Sequence, residues 1–181
     1  MKLKNVTLSA FLLLLAVAPL SVAAQSGESD LESIFNYVKI SDDLSSSGQI
    51  PYDQMKDVAD AGFDMVINLA TVNEAGNALE GFLVAEQGVT YLNIPVSWPE
   101  PAMSDLELFF DIMKVSEGRK VYVHCAANMR ASVFVYLYRT LVAGEEEALA
   151  REDMEKVWDP SGSAQWAALI ESAQMQFAST K

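Results

Sequence analysis

The single cysteine of the chain lies in a segment whose order of residue types suits nucleophilic chemistry. An apolar run at 121–123 is followed by His124 and Cys125, and Arg130 comes five positions after the cysteine. This order predicts a strand, a short loop that carries the thiol, and a helix that begins near the arginine. Loop amides, the positive end of the helix dipole and the guanidinium would all favour the thiolate form. The same groups could hold an oxyanion, as a cysteine phosphatase requires.

The number of cysteines bears on the role of this thiol. Cys125 has no second cysteine in the chain with which to form a disulfide. A lone thiol in an exported protein is either reactive or a buried structural residue. The predicted loop position of Cys125 favours the reactive role.

The N-terminal segment predicts export. Residues 1–24 begin with Lys2 and Lys4, continue through an apolar run and end in small residues suited to cleavage. This pattern is typical of a secretory signal peptide, with an uncleaved membrane anchor as the alternative. We therefore expect a periplasmic or secreted mature protein, residues 25–181, that has no membrane segment, with a disordered start at 25–31.

The charge of the chain limits its partners. The formal net charge is −13, and residues 1–24 hold two of the 12 basic residues and none of the 25 acidic ones. Signal cleavage would therefore leave a formal charge of about −15. Such an acidic protein is poorly suited to bind nucleic acid or an anionic membrane. We predict a single-domain monomer, in which any phosphate site depends on local donors.

Apolar runs alternate with amphipathic segments along the mature chain. This alternation predicts a three-layer α/β/α sandwich with a mainly parallel central sheet. The motif Ser104–Glu107 is predicted to cap one of the helices, and Ser45–Gln49 is predicted to be a loop. The predicted strands are 35–40, 63–69, 89–96 and 120–124; the predicted helices are 51–62, 79–87, 104–118, 130–142, 145–158 and one that begins after 163.

Several segments together resemble the superfamily of cysteine-dependent protein tyrosine and dual-specificity phosphatases. The chain looks most similar to the bacterial branch called beta-lactamase-hydrolase-like phosphatases. The resemblance covers most of residues 25–181 and implies a phosphatase-like domain. Its motifs are Ser47-Gly48-Gln49, Val66–Leu69, Glu74, Tyr91–Val96 and His124–Ser132.

Three features depart from the usual pattern of that superfamily. Four residues, not five, separate Cys125 from Arg130, and Asn128 stands near the place of the usual loop glycine. Asparagine tolerates a positive φ better than other non-glycine residues, so a tight turn remains feasible. Trp98 occupies the position of the usual general-acid aspartate.

The resemblance implies a role for each residue of the segment. Cys125 would attack phosphorus and form a phosphocysteine, and Arg130 would bind two phosphate oxygens. His124 would orient the loop or serve as a structural histidine. Ser132 would bind the thiolate, ease release of the intermediate, or cap the helix. The backbone amides of four residues would bind the remaining oxygens: Ala126, Ala127, Asn128 and Met129.

The general acid is the least defined part of this prediction. Glu100, two residues after Trp98, is the first candidate, although its position between two prolines favours an ordinary solvated carboxylate. Asp105 is the weaker candidate, because its place in the predicted capping box already accounts for an acidic residue at this position. Trp98 would line the mouth of the site or pack in the core. Loss of the acid would slow a phosphatase without abolishing it, since general acids contribute about 10²- to 10⁴-fold.

The predicted function is therefore a phosphatase that acts on a phosphorylated small molecule or phosphoprotein, such as phosphotyrosine or another aryl or alkyl phosphate. Two other functions remain as alternatives. Rhodanese-like sulfurtransferases also resemble this segment, and the four-residue spacing between Cys125 and Arg130 fits them. A third possibility is a non-catalytic module that binds an oxyanion or a phosphopeptide. One histidine and one cysteine cannot form a zinc site alone, and no nucleotide-binding fingerprint is present. We therefore predict no metal and no cofactor.

Overall fold

The computed structural model describes residues 31–72 and 74–178. The predicted signal peptide (1–24) and residues 25–30 lie outside the described residues. Leu31, which the sequence places in a disordered start, is instead fully buried. It packs with Ile34, Ile50 and Met55 in one of the two apolar cores.

A five-stranded sheet forms the centre of the domain. Strand β5 lies in the middle, between β2 and β3, and the order across the sheet is β1-β2-β5-β3-β4. Strand β1 runs antiparallel to β2, and all the other neighbouring pairs are parallel. The strands are β1 (Val38–Lys39), β2 (Leu44–Ser47), β3 (Met65–Asn68), β4 (Thr90–Asn93) and β5 (Val121–His124).

Helices cover both faces of the sheet. The α-helices are α1 (Met55–Asp60), α2 (Glu80–Glu86), α3 (Met103–Val115), α4 (Met129–Leu141), α5 (Glu147–Glu155) and α6 (Ala164–Ala178). Short 3₁₀ segments lie at Tyr52–Gln54, Glu74–Leu79 and Pro160–Gly162. In the described part of the chain, no helix is long and apolar enough to span a bilayer.

The alternation of side chains along the strands produces two separate cores. Ile67 and Val123 point to the face that packs against residues of α3 to α6. Val66 and Tyr122 point to the opposite face, where α1, α2 and the segment around Leu31 lie. Successive strand residues point to opposite faces, so a strand covered on both sides reads as a continuous apolar run. The predicted three-layer α/β/α sandwich with a mainly parallel sheet is confirmed.

One predicted loop is a strand. Residues Ser45–Ser47, predicted as part of a loop, belong to β2, and all three are buried beside β5. Serine is uncommon in buried strands, but these hydroxyls have partners. Ser45 Oγ lies 3.1 Å from Tyr37 Oη, and Ser47 Oγ donates to the carbonyl of Gly48. The predicted first strand, 35–40, is correspondingly reduced to the two residues of β1.

The start of α3 also differs from the prediction. The helix begins at Met103 after Ala102, which is extended at φ −95° and ψ 142° and supplies no side-chain cap. The amide of Asp105 donates to the carbonyl of Ala102, so Ser104 already lies within the first turn. The predicted capping box at Ser104–Glu107 is therefore wrong. The observed N-cap residue, Ala102, lies two positions before the predicted one.

Candidate active site

The turn from β5 into α4 places Cys125 at the carboxyl edge of the sheet, beside the strands that flank β5. The amide of Cys125 donates to the carbonyl of Ser47 at the end of β2, 3.3 Å away. Asn128 precedes the helix with φ +64°, in the left-handed region. An asparagine therefore makes the tight turn that a shortened loop requires. Ligands of parallel α/β sheets bind at this edge.

The segment before β1 holds this loop through two asparagines. Asn128 Nδ2 donates to the carbonyl of Asn36 at 2.7 Å and to Ser46 Oγ at 3.1 Å. Asn36 Nδ2 in turn donates to the carbonyl of Ala127 at 3.1 Å, and Asn36 itself has φ +53°. Asn128 thus binds the backbone of Asn36, and Asn36 binds the backbone of Ala127, the residue before Asn128. No sequence pattern indicated a role for Asn36.

Gly48 lies between the loop and that segment. Its amide donates to the carbonyl of Phe35 at 2.7 Å, and the amide of Gln49 donates to the carbonyl of Ala126 at 3.1 Å. A Cβ at position 48 would lie 2.9 Å from the Phe35 oxygen and 3.1 Å from the Ala126 oxygen. These are backbone atoms that cannot move away easily. Glycine at this position therefore allows β2 to approach the cysteine loop.

Arg130 lies on the first turn of α4 and is brought beside the cysteine. Its side chain is buried, and Nη1 donates to the carbonyl of Val96 at 2.9 Å. Val96 belongs to the loop that follows β4, so this bond ties the two loops at the sheet edge together. Cys125 is itself buried, as the structural alternative would have it, but it lines the same pocket as Arg130.

The pocket has a volume of about 140 Å³. It is lined by Trp98, Cys125, Ala126, Ala127, Met129 and Arg130. Within the described residues, no carbonyl accepts a hydrogen bond from the amides of Ala126 and Ala127. Amide donors at the N-terminus of a 13-residue helix, next to a guanidinium, are suited to bind an anion.

His124 is fully buried and does not line the pocket. Its Nε2 lies 2.5 Å from Oε1 of Glu80, the first residue of α2, and both side chains have no exposed surface. Gln49 Nε2 donates to the other oxygen of Glu80 at 2.6 Å. A buried carboxylate is costly unless partner groups compensate its charge. His124 and Gln49 are the partners of Glu80, and these contacts hold α2 and Gln49 against the end of β5. His124 is thus placed to position the loop through the backbone.

Glu80 is the residue of this network that the sequence did not indicate. It lies 44 positions before its histidine partner and reads as an ordinary helix glutamate. Its charge also affects a neighbour. Burial and, after it, the negative charge of Glu80 raise the pKa of Tyr91 to about 12. Tyr91 Oη accepts a hydrogen bond from Asn68 Nδ2 at 3.0 Å, which extends the polar network to β3 and β4.

Ser132 lies outside the lining of the pocket. It is buried one helical turn after Cys125's loop, and its Oγ donates to the carbonyl of Met129 at 3.1 Å. This is a bond within the first turn of α4. This bond is not a helix cap, because a capping side chain accepts a hydrogen bond from a backbone amide, and the N-cap residue of α4 is Asn128.

The two candidate acids occupy different environments. Glu100 is exposed on the loop after β4 and is not part of the pocket lining. Asp105 lies in the first turn of α3, is partly buried, and has its pKa raised by that burial. Since Asp105 does not belong to a capping box, the helix cap no longer accounts for it. Neither carboxylate lines the pocket in this structure.

Trp98 is the aromatic wall of the pocket, and the core also holds it. Its ring centroid lies 5.5 Å from that of Trp158 and 5.3 Å from that of Trp166. Both alternatives for Trp98, lining the mouth and packing, therefore apply to the same side chain. Among the described residues, no cluster of three or more histidine, cysteine or acidic side chains could hold a metal ion.

Comparison with solved structures identifies similar folds. A protein from Shewanella putrefaciens CN-32, titled "putative phosphatase (DUF442)", is 33% identical, with a TM-score of 0.72; the match covers 82% of this chain and 97% of that one. Tk-PTP in its active form is 18% identical, with a TM-score of 0.61 and coverage of 78% and 97%. P. aeruginosa TpbA in complex with pTyr is 16% identical, with a TM-score of 0.60 and coverage of 80% and 91%. No protein-family model and no curated protein matches the chain.

Proposed function

The chain belongs to the DUF442 family, has the fold of the cysteine-dependent tyrosine and dual-specificity phosphatases, and we propose that it hydrolyses phosphate monoesters. The observation that carries this proposal is the pocket in which Cys125, Arg130 and the N-terminus of α4 meet. A thiol, a buried guanidinium and the loop amides of Ala126 and Ala127, which donate to no carbonyl of the described residues, are the groups that phosphoryl transfer to cysteine uses.

The proposed reaction has two steps. In the first, the Cys125 thiolate attacks phosphorus, the bond from phosphorus to the ester oxygen breaks, and the alcohol departs as its oxygen gains a proton. In the second, water attacks the phosphocysteine, the S–P bond breaks, and inorganic phosphate leaves with the thiolate restored. Arg130 and the amides of the loop hold the equatorial oxygens in both steps, where charge builds up in a water-poor site.

Asp105 stands beside Glu100 as a candidate for the proton donor to the leaving group. A carboxyl with a raised pKa stays protonated at higher pH, as a general acid requires. The variant Asp105→Asn should therefore slow phenyl phosphate more than 4-nitrophenyl phosphate, whose leaving group needs no proton. Glu100→Gln is the comparison. The opposite order of the two variants would assign the role to Glu100.

We also infer that the mature protein is exported and acts as a monomer on a phosphorylated small molecule or phosphoprotein outside the cytoplasm. The N-terminal pattern at 1–24 supports export. Cell fractionation together with sequencing of the mature N-terminus tests it, with Gln25 expected as the first residue. A cytoplasmic protein that retains Met1 would contradict it.

A parallel assay tests the phosphatase activity against its rivals. Phosphate release from 4-nitrophenyl phosphate and thiocyanate formation from thiosulfate and cyanide are measured for the wild type and for Cys125→Ser. We expect phosphate release that the variant loses. Thiocyanate formation alone would instead favour a sulfurtransferase, which the four-residue loop also fits. Oxyanion binding without either activity would favour a non-catalytic module.

A further inference from the structure

Trp98 forms the aromatic side of the pocket that holds the nucleophile. It is half-buried, so part of the ring faces the pocket while the rest contacts the core. The other lining side chains are Cys125, two alanines, Met129 and Arg130. The pocket thus places one large flat wall beside the cysteine and the arginine.

Two other tryptophans fix the position of this wall. Trp166, which is fully buried, stacks against Trp98 with the planes 37° apart, and its Nε1 donates to the carbonyl of Trp98 at 3.2 Å. Trp158 packs against Trp98 on another side, and its Nε1 donates to the carbonyl of Met129 at 3.0 Å. The three rings therefore connect the loop after β4 to the first turn of α4. The indole of Trp98 is held relative to the sulfur and is not a mobile flap.

A fixed indole wall distinguishes leaving groups by contact. A ring that packs against indole gains an offset or edge-to-face contact, which an aliphatic group of equal size does not. This contact favours aryl esters over alkyl esters.

We propose that Trp98 is a specificity-determining residue that selects aryl phosphates over alkyl phosphates at the Cys125 pocket. This inference rests on the proposed phosphatase function for its kinetic consequences, but its binding consequence is independent of turnover. An aromatic contact of this kind corresponds to about a two- to tenfold difference in affinity or rate.

The test separates binding from chemistry. Titration calorimetry compares phenylphosphonate with cyclohexylphosphonate, which has a similar apolar size, on the wild type, Trp98→Phe and Trp98→Leu. The wild type should bind the phenyl compound about two- to tenfold more tightly. The preference should persist in Trp98→Phe and disappear in Trp98→Leu. Equal affinities of the wild type for the two compounds would overturn the inference, even if Trp98→Leu failed to fold.

Kinetics supplies the second readout. The ratio of kcat/KM for phenyl phosphate to that for hexafluoroisopropyl phosphate, an alkyl ester with a leaving group of comparable acidity, is measured for the same three proteins. The ratio should fall about two- to tenfold in Trp98→Leu and recover in Trp98→Phe. An unchanged ratio in an active, folded Trp98→Leu would refute the role of Trp98. Absence of all turnover in the wild type, with the phenyl preference in binding retained, would refute the phosphatase proposal alone.

Discussion

The two ends of α4 carry buried arginines in opposite electrostatic settings. At the C-terminal end, Arg139 donates to the carboxylates of Glu145 and Asp153 at 2.8 and 2.7 Å. A cation there is also favoured by the helix dipole. At the N-terminal end, Arg130 donates to the neutral carbonyl of Val96 and lines a pocket. A cation at the positive end of a helix is disfavoured by that dipole.

The difference shows how to separate a functional arginine from a structural one. Arg139 has two anions of the chain around it and stabilises the contact between α4 and α5. Arg130 adds positive charge where helix amides already attract anions, which raises the affinity of the pocket for a phosphate.

The largest expected effect comes from substituting the two arginines in turn. Arg130→Met should lower kcat/KM for 4-nitrophenyl phosphate by about 10³-fold or more, because the transition-state charge loses its main cation. Arg139→Met should lower the free energy of unfolding by about 1–3 kcal/mol, discounted for the exposure of Glu145, with little change in the activity of the folded protein. Steady-state kinetics and urea unfolding check both. A similar loss of activity in the two variants would contradict the distinction.

Gly48→Ala probes the contact between β2 and the cysteine loop. The added Cβ would press on the backbone oxygens of Phe35 and Ala126, so we expect a loss of about 1–3 kcal/mol in the free energy of unfolding. Activity should fall as well, since the loop must shift. Gly162→Ala is the matched control, because nothing lies within 4 Å of its Cβ position. If Gly48→Ala behaved like this control in urea unfolding, the close approach would be unimportant.

Glu80→Gln extends the comparison from the two buried arginines to a buried acidic side chain. Loss of the charge opposite His124 should destabilise the protein by about 1–3 kcal/mol, because buried groups lose a charged partner. We expect kcat to fall while KM stays nearly constant, since the change reaches the loop only through the backbone. Glu86→Gln, on the exposed side of the same helix, should change stability by less than about 0.5 kcal/mol. Equal effects of the two variants would remove Glu80 from the account.

The smallest predicted effect is a pH dependence at Asp105. Burial raises the pKa of this carboxyl, so the folded state binds its proton more tightly than the unfolded state does. The contribution of Asp105 to stability is therefore greatest below its ordinary pKa of 3.8 and declines as the pH rises through the raised value. Urea unfolding from pH 3.5 to 6 should show a shallower decline in Asp105→Asn. The exposed Asp111→Asn should keep the wild-type slope; identical slopes in all three proteins would contradict the prediction.

The order of elements and the position of the cysteine loop followed from local patterns. Strands such as Met65–Asn68 and Val121–His124 are buried on both faces and read as apolar runs, and the helix Met129–Leu141 is buried along most of its length. Strand β2 was missed because its buried residues are serines, and their partners, Tyr37 and Asn128 among them, are fixed only by the fold.

The residues that hold the site in place could not be predicted from sequence patterns for the same reason. Asn36 and Glu80 contact the loop and His124 across gaps of 91 and 44 positions. Contacts of this kind depend on the order of strands in the sheet and not on spacing along the chain. Trp98, by contrast, was visible as a departure from the family pattern, but only its place between two tryptophans gave it a role.

The most direct test of the central claim is to trap the covalent intermediate. The wild type is mixed with 4-nitrophenyl phosphate, quenched by rapid denaturation during turnover, digested, and analysed by mass spectrometry. The account predicts one phosphorylated peptide, with the phosphate on Cys125, and its absence from Cys125→Ser. Phosphate release that continues in Cys125→Ser, or a phosphoryl group on any other residue, would contradict it.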